Sequence, residues 1–445
     1  MAAHLETLML KIALISEHAS PLAMAGGVDS GGQNIYVGKV AEYCARAGHH
    51  VDVFTRQEDV LAPRIVQWRP GVRIVHVPAG PPRVVPKEEL LPYMGEFSRY
   101  LRQWFHGQLL HGHGYDVVHA NFFMSAMAAQ PVAQSLGIPL VVTFHALGRV
   151  RRLYQGDADR FPDSRFDIEE DIVRHADRII AECPQDRRDL LDLYHADPRR
   201  LATVPCGYEP KEMTPQDRLA ARAQLGWPAE AFTILQLGRM VPRKGVEDVV
   251  LAVARLRERH GVHARLCVVG GNSDTPCEVL TPEIGRLRKL AHEAGVADQV
   301  EFIGRRDRSK LRTYYSAADV FVTTPWYEPF GITPLEAMAC GRPVIGSDTG
   351  GIRYSVVHGE TGFLVPTRNP AAVADQLAVL ARDSGLARRM GEAGLRRARR
   401  RFTWRHVAEQ LLAVYADLVP SSATNATLST ARERAPAARR ERVPA

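Results

Sequence analysis

Residues 325–340 read PWYEPFGITPLEAMAC. They follow DVFVTT at 319–324, an apolar β-branched run that predicts a buried parallel strand. A loop comes next, then a helix. Thr333 is the expected N-cap, Pro334 the first helical residue, and Glu336, three residues after Thr333, completes a capping box. The amides of Phe330, Gly331 and Ile332 then lie just ahead of a helix N-terminus, where an anion or a hydroxyl-rich ligand is favoured. Glu328 and Glu336 bracket the loop. Singly, Glu336 serves equally well as a cap and Glu328 as a solvated loop residue.

Working back toward the N-terminus, FTILQL (232–237) predicts a strand and 246–260 a helix, with GRMVPRKG (238–245) between them. The loop is no Walker A, because its glycine spacing is wrong and no Ser or Thr follows the Lys. Arg239 and Lys244 nevertheless bring two cations to a strand's carboxyl end beside a helix start, a site of diphosphate size. Further strands are expected at 265–270, 300–304, 343–347 and 362–365. Helices are expected at 282–294, 308–317, 371–381 and 386–400. This alternation predicts a doubly wound sheet.

The first half repeats the pattern. MLKIALIS (9–16) is a strand, GGVDSGGQ (26–33) a loop, 34–47 a helix and HVDVFT (50–55) a strand. Ser30 and Gln33 suggest a second capping box, while Gly31 and Gly32 let backbone approach a ligand. Strands follow at 73–77, 116–120, 139–144, 178–182 and 201–205, and helices at 88–110, 125–136, 167–176 and 185–194. His145 ends the strand PLVVTF, where open α/β sheets bind ligands. In GRVRR (148–152), Arg149, Arg151 and Arg152 suit an anion such as an acceptor's phosphate, or form a solvated basic turn. Asp157 and Asp159 form a D-x-D in a loop context that argues against a metal. Residues 209–228, polar and Pro-containing, carry the interdomain connection.

The chain has 445 residues, too many for one typical core. The expected domains are 1–210 and 211–401, with an amphipathic helix at 402–418 returning to the first and a disordered tail at 420–445. The 45% hydrophobic and 24% charged composition fits a globular protein. The net charge of +7 suits anionic ligands, but the arginines cluster late and no aromatic platform interleaves them, so nucleic acid is not an expected partner. Between 388 and 405 lie eight arginines and one acid, Glu392. They read chiefly as a solvated helix face, with weak peripheral contact to anionic lipid as the alternative. Six cysteines without C-x-x-C spacing, no leader peptide and no membrane-length apolar run predict a cytoplasmic chain.

The E-x7-E pattern around PFG, running into EAMACGRPVI, resembles the donor signature of retaining glycosyltransferases of GT-B fold, family 4. GRMVPRKG resembles the same family's G-R-x5-G module. DSGGQNIYV looks like the loop of sucrose synthase, sucrose-phosphate synthase and mycothiol-pathway glycosyltransferases. The resemblance spans about 9–418 and implies an α/β GT-B architecture, two doubly wound Rossmann-like domains facing across a cleft. It also implies that a hexose leaves a nucleoside diphosphate sugar, with UDP-glucose favoured, for a sugar, sugar-phosphate or lipid-linked acceptor, with retention and no metal or other cofactor. In its terms Glu336 binds the ribose, and Glu328 with the amides of Phe330, Gly331 and Ile332 holds the sugar. Arg239 and Lys244 neutralise the diphosphate, whose distal phosphate faces Gly31 and Gly32. His145, in a T-x-H context, lies near the reactive carbon, where its expected task is a hydrogen bond to the sugar, and Arg149, Arg151 and Arg152 border a phosphorylated acceptor, since THxLGR-type sequences in sucrose-phosphate synthases precede their sugar-phosphate site. The leaving phosphate helps deprotonate the acceptor, so no protein nucleophile is named. The sequence departs from the family's Asn-Gly pair at Cys206-Gly207. A sugar-nucleotide epimerase or a non-catalytic sugar-nucleotide-binding protein stay open as alternatives, as does the oligomeric state.

Overall fold

The computed structural model describes residues 9–23 and 31–419. Its first sheet contains β1 (Lys11–Ile15), β2 (His50–Arg56), β3 (Ile65–Arg69), β4 (Val72–Val77), β5 (Val117–Asn121), β6 (Leu140–Thr143), β7 (Arg178–Ala181) and β8 (Leu201–Thr203). The order is β3-β4-β2-β1-β5-β6-β7-β8, parallel except between β3 and β4. The second sheet contains β9 (Phe232–Leu237), β10 (Ala264–Val269), β11 (Val300–Gly304), β12 (Val320–Thr323), β13 (Val344–Ser347) and β14 (Gly362–Val365). It is parallel throughout, in the order β11-β10-β9-β12-β13-β14.

Helices wrap both sheets. In the first half they are α1 (Gly32–Arg46), α2 (Met94–Leu110), α3 (Phe123–Leu136), α4 (Gly148–Gln155), α5 (Ser164–His175) and α6 (Pro184–Tyr194). Next come α7 (Arg218–Leu225), α8 (Val246–His260), α9 (Pro282–Glu293), α10 (Arg308–Ala317), α11 (Ile332–Ala339), α12 (Gly350–Ser355), α13 (Pro370–Arg382), α14 (Ser384–Arg401) and α15 (Trp404–Leu418). Strands β5, β6, β12 and β13 are buried along their whole length, as expected for parallel strands covered on both faces. Strand order reverses between β1 and β5 in one sheet and between β9 and β12 in the other. Those two switch points open crevices at the strands' carboxyl ends.

Several local expectations need correction. Helix α11 is capped by Gly331, not Thr333; with φ +88 this glycine turns the chain into the helix one residue early, which frees Glu336 from capping. Ser30 lies outside the described residues, and α1 is capped at Gly31, whose amide donates to Asn34 Oδ1 at 2.9 Å. Gln33 instead donates to Ser16 Oγ and the Asn121 carbonyl. The helix expected from residue 88 begins at Met94, after two short 3-10 turns, the second containing Pro92. The GRVRR turn is the start of α4. Strand β3 was not expected; it is an antiparallel edge whose residues alternate between exposed and half-buried. The expected tail at 420–445 lies outside the described residues.

Helix α15 lies against α1, with Trp404, Val407, Leu411 and Tyr415 buried. Tyr36 meets Trp404 edge-on at 5.9 Å, and a 2.6 Å hydrogen bond joins the Tyr415 hydroxyl to His119 Nδ1. The Cys206–Tyr208 segment supports this return. Tyr208 donates to the Phe402 carbonyl, and Trp404 donates to the Tyr208 carbonyl. A Cβ on Gly207 would stand 2.8 Å from the Trp404 nitrogen, so the approach requires glycine. Among the described residues no helix is long and apolar enough to cross a membrane.

Candidate active site

The cleft between the sheets holds a cavity of about 310 Å³. Its second-domain wall is built by the loops after β9 and β12, neighbours at the switch point. After β9, residues 242–244 form a 3-10 turn and Gly245, at φ +65, passes the chain into α8. A Cβ there would sit 1.9 Å from the Thr324 carbonyl oxygen, so glycine alone lets the two loops touch. The contact brings Lys244 Nζ onto Glu328 Oε2. Burial pushes Lys244 down to about 8 even though Glu328 opposes it. For Glu328, burial acts upward, but Lys244, Arg243 and Arg239 together hold it below its ordinary value. Arg239 lines the same wall.

Beyond them, Phe330, Gly331 and Ile332 lead into α11, whose first-turn amides have no intrahelical partner. Glu336 lies on α11 and is 2% exposed. Its Oε2 accepts the Tyr315 hydroxyl at 2.9 Å, and its Oε1 pairs with Arg308 at 2.7 Å. Arg308 also pairs with Glu212, which pairs with Lys39 of α1. A chain of charges thus runs from the first domain to Glu336. Arg308 and Tyr315 were not foreseen, since a single Arg at a helix start carries no motif.

The first-domain wall carries Gly31, Gly32 and His145. A Cβ on Gly32 would come within 3.6 Å of Ile332 Cδ1, so the two loops meet across the cleft. His145 has φ +58, an uncommon conformation for a histidine and of the kind held at ligand sites. Its Nδ1 lies 3.0 Å from Glu182 Oε1 and its Nε2 3.0 Å from Asn121 Oδ1. The expected hydrogen bond to a sugar therefore finds both ring nitrogens engaged, because β5 and β7 end on either side of β6. Glu182 also accepts from Cys206 Sγ, the residue at the family's Asn position. Behind Glu182, Asp186 is pushed up to about 8 by burial and by Glu182. Glu182 and Asn121 were missed, although both stand at carboxyl ends of strands by the rule that found His145.

All ten residues expected at the donor and reacting centre line this cleft: Gly31, Gly32, His145, Arg239, Lys244, Glu328, Phe330, Gly331, Ile332 and Glu336. The three arginines expected at the acceptor part company, because they lie on different faces of one short helix. Arg149 pairs with Glu170 and Arg152 with Asp163, both away from the cleft. Arg151 lines the cleft and is matched by buried Asp159, at 2.8 Å. That pairing uses the second carboxylate of the D-x-D. Among the described residues no group of three or more His, Cys, Asp or Glu gathers to hold a metal.

The chain is similar to known proteins over nearly its whole length. Residues 217–397 match the family described as glycosyl transferases group 1, and 31–207 match a glycosyl transferase 4-like domain. The D-inositol 3-phosphate glycosyltransferase of Geodermatophilus obscurus is 38% identical over 91% of this chain and 89% of its own. That of Acidothermus cellulolyticus is 36% identical over 94% and 92%. Sucrose-phosphate synthase from Thermosynechococcus elongatus superposes with a TM-score of 0.83 at 34% identity, over 92% of this chain and 99% of that one. Anabaena HepE, solved with UDP and glucose, shares the fold at 18% identity and a TM-score of 0.69, over 92% and 100%. The chain belongs to the group 1 glycosyltransferases and is a glycosyltransferase of GT-B architecture.

Proposed function

We propose that the chain moves a hexose from a nucleoside diphosphate sugar to a hydroxyl of a sugar or sugar phosphate, with retention at the anomeric carbon and without a divalent cation. The observation that carries this reading is the meeting of Lys244, Arg239 and Glu328 with Gly31 and Gly32 at one cleft. Two fixed cations and the α11 amides suit a leaving diphosphate, because they are already oriented where charge builds as the bond breaks. Glu328, drawn to Lys244, is placed to hold sugar hydroxyls once the diphosphate takes over the cation. Glu336 takes the ribose, and His145 shapes the floor beside the reacting carbon. The leaving phosphate itself receives the acceptor's proton. UDP-glucose is the first donor to try, and D-inositol 3-phosphate, named in the relatives, the first acceptor. An anionic acceptor would meet Lys87 and Arg151. Six free cysteines, five of them buried, fit a reducing cytoplasm.

The test is nucleotide release with UDP-, ADP- and GDP-sugars in EDTA, with and without inositol phosphates, hexose phosphates and free sugars, followed by the product's anomeric configuration. Release that needs one donor and one acceptor, with the donor's configuration kept, is expected. Lys244→Ala should lower kcat/KM by about 100-fold. Unchanged diphosphate binding in that variant would remove the assignment.

A further inference from the structure

Tyr327, a side chain that the reading above leaves unused, joins the two domains at the cleft. It is 4% exposed and lines the cavity directly before Glu328. Its ring stacks on that of Tyr154 from α4, with centroids 5.1 Å apart and planes 21° from parallel. Its hydroxyl accepts a 2.7 Å hydrogen bond from Nε2 of Gln155, the next residue of the same helix. The Arg243 guanidinium stands 5.2 Å from the centroid of the same ring. One phenol is thus held by two groups of the first domain and one of the second.

The loop's backbone is tied down within its own domain. The Trp326 amide donates to the Arg243 carbonyl at 2.9 Å, and the Gly351 amide to the Glu328 carbonyl at 3.1 Å. From the first domain, Cys183 Sγ reaches the Pro329 carbonyl at 3.3 Å, and α4 reaches Tyr327. Helix α4 is a firm platform, since Arg151, one turn before Gln155, is bonded to buried Asp159 at 2.8 Å. Tyr154 is 42% exposed and lies outside the first domain's core. Its ring packs on the other domain's loop instead.

We propose that Tyr154 is a positioning residue of the transfer reaction: through Tyr327 it holds the Glu328 loop in place and keeps water from the donor's anomeric carbon. Transfer and hydrolysis follow one course. The oxygen of an acceptor hydroxyl or of water bonds to the anomeric carbon, the bond from that carbon to the diphosphate oxygen breaks, and the attacking oxygen's proton passes to the leaving phosphate. The two differ only in which oxygen is in place, so a contact that excludes water and fixes the loop selects transfer. An aromatic stack and a hydrogen bond between domains suit this task, because both are lost together when the loop draws away from α4. This inference rests on the transferase reading.

The test has two arms on the full chain. In the free protein, amide hydrogen exchange over residues 326–331 should be at least about fivefold faster in Tyr154→Ala than in the parent. It should be parent-like in Tyr154→Phe, which keeps the ring. Unchanged exchange in Tyr154→Ala overturns the proposal, whatever the substrates. In the kinetic arm, with UDP-glucose and D-inositol 3-phosphate, Tyr154→Ala should raise the ratio of donor hydrolysis to transfer about tenfold. The change should fall in kcat rather than in the donor KM, and Tyr154→Phe should restore the parent's ratio. In a Tyr327→Leu background, Tyr154→Ala should change the ratio no further. A ratio within about twofold of the parent's, or an undiminished effect in the Tyr327→Leu background, overturns the proposal. Tyr154→Leu replaces Tyr154→Ala if the latter fails to fold. A parent that releases no nucleotide from any donor defeats the transferase reading and the catalytic half of this one, while exchange still decides whether Tyr154 holds the loop.

Discussion

Under the proposed donor binding, Lys244 sets the pH behaviour of the cleft. Its ammonium is pushed down to about 8 by burial, and it is the form that would pair with the proposed diphosphate. Above that pH the free protein has shed the proton, and a bound diphosphate must recover it. Donor binding should take up close to one proton at about pH 9 and almost none at about pH 6.5, with affinity falling at most about tenfold per pH unit. Calorimetry in two buffers of different ionisation enthalpy reads this directly; equal heats at the higher pH would refute it. Asp186 has the opposite sign. Its folded value, about 8, lies above the ordinary 3.8, so the folded state keeps a proton that the unfolded chain releases. Its stabilising contribution is complete below about pH 4 and fades as pH rises toward 8. Asp186→Asn keeps the side-chain oxygen that accepts the Glu182 amide at 2.8 Å and does not titrate. The variant's melting temperature should gain on the parent's by a few degrees between about pH 5 and pH 8.5.

At the scale of elements, the Gly245 turn between β9 and α8 decides where the loop carrying Lys244 sits. Gly245→Ala meets the Thr324 carbonyl at 1.9 Å in addition to the left-handed backbone penalty of about 1–2 kcal/mol. The loop must move away from β12, taking Lys244 off Glu328. Donor affinity should fall at least about tenfold while first-domain unfolding is unchanged. Titration of the donor and a denaturant curve followed at a first-domain tryptophan separate the two. Helix α11 makes the same point: Gly331, at φ +88, starts the helix early enough to point Glu336 inward at Tyr315 and Arg308.

At the scale of the molecule, the two sheets are tied at the chain's end. Helix α15 leaves the second domain and closes on α1, burying Trp404 and Tyr415. Burial pushes His119, the hydrogen-bond partner of Tyr415, down to about 3, so the ring is neutral and the bond is uncharged. Tyr415→Phe should lower stability by about 1 kcal/mol with little effect on donor affinity. A urea midpoint unchanged from the parent would show that the bond contributes nothing. The chain Lys39–Glu212–Arg308–Glu336 gives the domains a second tie, through the second-domain wall of the cleft.

The sequence by itself determined the alternation of strands and helices, because period and burial are local properties of Val, Ile and Leu runs such as VFVT and LVVT. It also marked the loops after β1, β6, β9 and β12 as the chemical ones, since glycines, cations and carboxylates there stand at strand ends where a parallel sheet opens. Tertiary structure decided what those side chains touch. The three arginines of α4 look alike in sequence, yet the helix turns two of them away and sets the third against Asp159. His145 looked available until Glu182 and Asn121, 37 residues downstream and 24 upstream of it, closed on its two nitrogens. Glu336 read as a cap until Tyr315 and Arg308 claimed it. Each of these outcomes depends on a partner from another strand or helix, and hydrogen-bond geometry between distant segments leaves no periodic trace in the chain.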